Sequence, residues 1–321
     1  MYAHGGSIEI HIDTMINSKV AILLATYNGS DYLSEQLDSI QAQMHLNWFV
    51  IASDDGSSDQ TLNILKAYQQ RWPQGKLTIR QGPEKGFCQN FLSMACDSNI
   101  EADFFAFCDQ DDVWLPMKLT VALQQINKHQ EDYSYVYSGR TIYVDEQLKE
   151  IGRSPLFSFP RTFRNALIQS IAGGNTMVFN LKAKKILEIT GQVDHPSHDW
   201  WLYQLITGTG GIVYYDPVPM VLYRQHSTAL IGSNSSFISR MKRFKMLFQG
   251  RFKKWSDQNI SILLNIYPLL THGSRESLML FKDMRNAGLK GRCRLLEVAG
   301  LYRQTWQGTL SLYAAAVFNK V

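Results

Sequence analysis

From Val20 onward the chain alternates short, β-rich apolar runs with segments whose apolar residues recur at helical spacing. The pattern predicts strands at Val20 to Ala25, Trp48 to Ser53, Leu77 to Arg80 and Phe104 to Cys108. Between them it predicts helices from Asp31 to Gln43, from Thr61 to Arg71 with Leu62, Leu65 and Tyr68 on one side, and from about Phe87 to Cys96. Strands alternating with helices of this length imply an α/β fold with a mostly parallel sheet, right-handed crossovers and functional loops at the carboxyl edge. Residues 1–19 lack the periodicity, and Met15, just ahead of Lys19, offers a second candidate start; we expect a dispensable leader there. From residue 233 to Val321 the chain reads as a helical extension.

A chain of 321 residues, 45% of them hydrophobic, can bury a full core and suits one large α/β domain with an appendage. No apolar run reaches the ~20 residues that span a bilayer, and the N-terminus lacks a charged-then-apolar signal pattern. We therefore expect a cytoplasmic chain, soluble or peripheral on the inner face of the cell membrane. The formal net charge of +4 is mild and argues for no nucleic-acid partner. Cys88, Cys96, Cys108 and Cys293 show no CxxC spacing, so reduced thiols are expected rather than bridges or a zinc site.

The densest chemistry lies in Asp109-Gln110-Asp111-Asp112, directly after the apolar run Phe104 to Cys108. Carboxylates at the end of a buried strand sit where open α/β sheets bind ligands. Three acids within four residues repel one another unless a cation or donor groups hold them. Magnesium is usually held by one or two carboxylates plus substrate phosphates. The alternative for an isolated DxD is a turn and a helix N-cap, with Asp112 ahead of Pro116. The loop from Asp54 to Asp59 also reads two ways: a strand-end carboxylate that accepts from a base N–H or a ribose hydroxyl, or an Asx-rich turn capped by Ser58 or Asp59. There is no GxGxxG after the first strand and no Walker-type glycine loop, which disfavours a Rossmann dinucleotide site and a P-loop.

Taken in order, VAILLATYNG at Val20, the DDGSSD turn at Asp54, GPEKGFCQNF at Gly82 and CDQDDVWLP at Cys108 resemble a bacterial family 2 glycosyltransferase of the GT-A fold. GGNTMVF at Gly173, HDWWLY at His198 and YRQHS at Tyr223 resemble its rhamnosyltransferase-like branch. The resemblance covers about Val20 to Gly232, and it implies a GT-A-like domain over 20–232. By position it implies that Ala25 and Tyr27 lie against the nucleotide base and that Asp55 accepts from the pyrimidine N–H. Lys85 falls near a basic residue beside the nucleotide, or is a solvated lysine. Asp109 matches the residue facing the ribose or sugar, and Asp111 the ligand of a divalent cation, manganese or magnesium, that bridges the diphosphate. Asp199 resembles the base that takes the acceptor proton in an inverting transfer, set against the rings of Trp200, Trp201 and Tyr203, which would bind a sugar face; without the other motifs it would read as an N-cap beside core tryptophans. His226 would complete the metal shell or donate to a phosphate, or be an ordinary histidine. Arg224 would pair with the diphosphate or form a structural salt bridge. Gly173-Gly174-Asn175 reads as a tight loop before a strand at Thr176 to Phe179, where missing side chains would let the acceptor approach.

The implied partners are a nucleotide-sugar donor, with dTDP-rhamnose leading, and a surface-polysaccharide or lipid-linked glycan acceptor. Between Arg240 and Lys254 seven basic residues and no acid flank an apolar stripe of Phe237, Met241, Phe244, Phe248, Phe252 and Trp255. That stripe either lies on an anionic membrane or packs on the catalytic domain. Two rival functions remain: a sugar nucleotidyltransferase, whose glycine-rich opening is absent, and a glycan-binding protein with a decayed site.

Overall fold

Strand β1 (Val20–Thr26) shows why the chain folds as it does. Val20, Ile22 and Leu24 face one hydrophobic cluster while Ala21 and Leu23 face another, and all five are fully buried. Burial on both faces is the mark of a central parallel strand. The computed structural model describes residues 17–128, 133–171, 173–225 and 251–318. Beside β1 run β2 (Trp48–Asp54), β3 (Leu77–Gln81) and β4 (Phe104–Cys108), joined by helices α1 (Leu33–Gln41), α2 (Thr61–Arg71) and α3 (Phe87–Ala95). β1 pairs in parallel with β2 and β4, and β2 with β3.

The chain continues through β5 (Val113–Trp114), α4 (Lys118–Asn127), β6 (Tyr135–Gly139), β7 (Ile142–Val144) and β8 (Glu150–Arg153). Then come α5 (Phe163–Ala166), β9 (Val178–Asn180), α6 (Leu181–Thr190), α7 (His198–Gly208), β10 (Ile212–Asp216) and β11 (Val221–Arg224). The main sheet has seven strands in the order β10-β6-β9-β4-β1-β2-β3, and β9 alone runs antiparallel to its neighbours. The expected α/β fold and mostly parallel sheet are thus present. A second, four-stranded sheet, β5-β11-β7-β8, is built of strands of two to four residues, too short for periodicity to show that they pair. The strand expected at Thr176 begins only at Val178, since Gly174–Thr176 forms a 3-10 turn.

The C-terminal segment is helical as expected, with α8 (Arg251–Asn265), α9 (His272–Asn286), α10 (Leu289–Ala299) and α11 (Trp306–Val317). Leu263, Phe281, Leu296 and Leu312 share one buried cluster with Phe179 and Trp201 of the sheet domain. Of the basic stripe, Phe252 and Trp255 pack half-buried against this cluster, and Trp255 meets Trp200 edge-on at 6.3 Å. Phe237, Met241, Phe244 and Phe248 lie outside the described residues. Among the described residues no helix is long and apolar enough to cross a membrane. The four cysteines are free thiols, and burial pushes Cys88 up to about 12, which keeps it protonated and inert.

Candidate active site

Three loops leave the carboxyl edge after β1, β2 and β4, and side-chain hydrogen bonds knit them together. Gln110 clamps the first: its Oε1 accepts from Tyr27 N at 2.8 Å and its Nε2 donates to Tyr27 O at 2.9 Å. Gly29 makes room for that clamp, because a Cβ there would stand 2.2 Å from Gln110 Oε1. The Tyr27 ring is 58% exposed and open to a stacking partner, while Ala25 packs half-buried on the core at the end of β1.

The acids of the second loop are occupied by the chain itself. Asp54 accepts from Thr26 Oγ1 at 2.8 Å, from Ser57 N at 2.9 Å and from Ser57 Oγ at 2.6 Å. Asp59 accepts from Ser30 N at 3.0 Å and from Thr61 N and Oγ1 at 2.9 and 2.5 Å. Burial raises the Asp59 pKa, but the hydrogen bonds from Thr61 and Ser30 outweigh it and hold the group at about 2. Asp55 accepts from Glu84 N at 2.6 Å and Gly86 N at 2.8 Å, so it fixes the loop that carries the exposed Lys85. A carboxylate offers about four lone-pair sites, so Asp55 keeps acceptor capacity for a ligand. The Asx-turn reading therefore fits Asp54 and Asp59.

The third loop is electrostatically opposite. Burial, then the negative charges of Asp111 and Asp199, push the Asp109 carboxyl well above the usual carboxylate range. Burial, with Asp111 and Asp109 adding, does the same to the fully buried Asp112. Asp112 is not a helix cap, since α4 begins at Lys118 behind Met117 with no side-chain cap bond. It accepts instead from Asn175 Nδ2 and from Arg224 N at 3.3 Å, tying β4 to the Gly174 turn and to β11. Lys118 is buried beneath the loop with its ammonium 3.5 Å from the Trp114 ring centroid, and burial lowers its pKa to about 7. Arg224 donates to Glu35 Oε2 at 2.5 Å, to Asp111 O at 3.1 Å and to Glu146 O at 2.5 Å, with its guanidinium 4.4 Å from the Tyr32 ring. Those bonds make it the scaffold of the Asp111 loop, in line with the salt-bridge reading.

Asp199 stands in the first turn of α7, where Ser197 holds the N-cap position. Its Oδ1 accepts from Trp200 N at 2.6 Å and from Ser197 Oγ, and the Gly174 N–H also donates to the carboxylate. Burial nevertheless pushes its pKa up to about 6. Trp200, Trp201 and Tyr203 are buried core residues, so they form no platform for a sugar. His198 stacks on Phe91 at 3.9 Å between centroids, and burial lowers it to about 3, which keeps it neutral. The backbone of Gly174 lies so close that a Cβ there would stand 2.2 Å from His198 Nε2. Glycine at 174 thus serves packing against His198.

The structure brings Asp109 within electrostatic reach of both Asp111 and Asp199, and it ties Asp55 to the Lys85 loop. His226 lies outside the described residues. The roles of Gln110, Lys118 and Asn175 were missed from the sequence, although Asn175 stood in the Gly173 loop; only the amide between the acids of the third loop gave a signal, since it interrupts the run of carboxylates. Among the described residues no three His, Cys, Asp or Glu side chains form a metal cage. Hard carboxylate oxygens crowded until two are pushed toward protonation, with Lys118 as a weak counter-charge, nonetheless fit a cation that draws its other ligands from a phosphorylated substrate.

The pattern of Glycosyl transferase family 2 matches residues 21–187. The dTDP-rhamnosyl transferase RfbG of Shigella flexneri is 29% identical over 248 residues, 72% of this chain and 81% of that protein. Residues 1–349 of S. aureus TarS, solved with UDP-GlcNAc, superpose with a TM-score of 0.54 at 16% identity over 94% of this chain and 90% of that one. The mannosyltransferase PcManGT of Pyrobaculum calidifontis, solved with GDP-Man and Mn2+, gives a TM-score of 0.53 at 18% identity over 95% and 87%. The GT-A fold is therefore shared with these structures, and the chain belongs to glycosyl transferase family 2.

Proposed function

We propose that this chain transfers rhamnose from dTDP-rhamnose to a surface polysaccharide or its lipid-linked precursor, with inversion at the anomeric carbon and with manganese or magnesium. The observation that carries the reading is the negative charge of Asp199 acting on the buried Asp109, which joins a base candidate on α7 to the carboxylate loop after β4. The likeness to RfbG supports rhamnose, and the Mn2+ and GDP-Man of PcManGT support a cation and a nucleotide-sugar donor.

In this reading Tyr27 and Ala25 bound the base, Asp55 accepts from its N–H, Lys85 faces the diphosphate and Asp109 the ribose or sugar. Asp111, with His226, would hold the cation, which when bound offsets charge on the departing diphosphate. The acceptor oxygen forms its bond to the anomeric carbon as the bond from that carbon to the phosphate oxygen breaks. Asp199 takes the acceptor proton, and a pKa near 6 suits it to accept one near neutrality. A donor screen with dTDP-rhamnose, UDP-GlcNAc and GDP-mannose, with and without each metal, tests the assignment by nucleoside diphosphate release. NMR of the product should show the inverted anomer; a retained one would remove Asp199 as base.

A further inference from the structure

We infer that the chain has a second binding site, for a phosphate-headed membrane lipid, in a cavity between the sheet domain and the C-terminal helices. The cavity measures about 1070 Å³, at the upper end of the ~300–1,000 Å³ usual for small-ligand sites. Thr207, near the far end of α7 and about 12 Å along the helix from Asp199, and Gly211 just beyond that helix line it. Gly211 immediately precedes β10, so the cavity sits at the amino edge of the sheet, opposite the acids of the transfer site.

Its walls are tied together by hydrogen bonds. Tyr302 OH donates to Pro160 O at 2.6 Å, and Phe159 N donates to Gln304 Oε1 at 3.1 Å. Every charged side chain in the lining is cationic: Arg161 and Arg164 face it and no Asp or Glu does. Arg161 donates to Phe159 O at 3.2 Å and Arg164 Nε lies 3.5 Å from Ser277 Oγ, and among the described residues neither is in a salt bridge. The first turn of α9 also lines the cavity and adds the positive end of its dipole. The opposite wall is apolar: Trp306, Leu310 and Tyr313 recur at i, i+4 and i+7 on α11, a helix with no charged residue.

A free phosphate would need no such apolar wall. A neutral glycan would draw on carboxylates and amides, which the lining lacks. A phosphate head on an apolar chain uses both walls, with the head at the arginines and the chain along α11. Trp306 is 64% exposed and Leu310 60% exposed at the mouth, where an indole suits the headgroup level of a bilayer.

The test uses the full chain with phosphatidylcholine vesicles, with and without phosphatidylglycerol. Wild type should co-sediment with the anionic vesicles, and the double variant Arg161→Gln/Arg164→Gln should bind roughly thirtyfold more weakly at low salt. Donor hydrolysis in solution should be unchanged in that variant, which separates lost binding from lost folding. Brominated phosphatidylglycerol should quench part of the wild-type fluorescence, and Trp306→Phe should abolish that part. Equal binding by wild type and double variant, equal quenching after Trp306→Phe, or equal binding to uncharged vesicles would each overturn the proposal. So would displacement of the protein from vesicles by millimolar inorganic phosphate alone, which would mark a simple anion site.

Discussion

The Asp54–Asp59 loop and the Asp109–Asp112 loop hold the same residue type at the same edge of the same sheet, yet their acids behave oppositely. Asp59 is held at about 2 by hydrogen bonds from Thr61 and Ser30, whereas Asp109 and Asp112 are driven upward by burial and by one another. The difference lies in donors. In the second loop backbone N–H groups and hydroxyls point at the carboxylates, so the charge is satisfied and the acids build the loop. In the third, burial and the acids' own charges outweigh the donors that reach Asp112, so the ionised forms of Asp109 and Asp112 are disfavoured. Abundance of acid is thus a poor guide to chemistry, and a carboxyl driven toward protonation is a better one.

The sharpest way to break this contrast is at Asp199, which adds its charge to Asp109 from another helix. Asp199→Asn should lower kcat by about 10² to 10⁴ and leave donor affinity nearly intact, because it removes a proton acceptor and no diphosphate contact. The wild-type rate should also fall about tenfold per pH unit below the Asp199 value of about 6, since the protonated carboxyl cannot act as a base. A wild-type profile flat from pH 7 to 5, or an Asn variant of normal turnover, would return Asp199 to a structural role.

A smaller loss is expected at Asp111. Asp111→Asn should weaken metal-dependent nucleoside diphosphate binding by at least about 10- to 100-fold, the loss typical of even an outer-shell partner. Calorimetric titration with manganese present and absent measures it, and equal affinities in variant and wild type would take Asp111 out of the metal site.

The smallest effect belongs to the satisfied loop. Because the Asp59 pKa lies below the ordinary carboxylate value, its contribution to stability is complete above about pH 4 and is lost as pH falls toward 2. Asp59→Asn should therefore cost on the order of 1 kcal/mol at pH 7 and little at pH 2. Thermal melts across that range check it; a penalty that does not shrink toward pH 2 would show that Asp59 acts through packing rather than charge.

The sequence by itself determined the alternation of strands and helices, the placing of three loops at one edge, and the family through its ordered motifs. Those features depend on local period and on residue order, which a linear reading sees. β1, α2 and β4 were legible almost to the residue, because each is either buried on both faces or strongly one-sided. The antiparallel direction of β9 and the pairing of the small second sheet were not, since these short strands are stabilised by partners far along the chain. The roles of individual acids also needed the fold. Asp112 looked like a cap until Asn175 and the Arg224 backbone, 63 and 112 residues away, proved to hold it. The tryptophans after Asp199 looked like a sugar platform until burial made them core. Whether a carboxylate is satisfied or left charged depends on which distant donors the tertiary structure brings within about 3 Å, and that separation is not written in the order of residues.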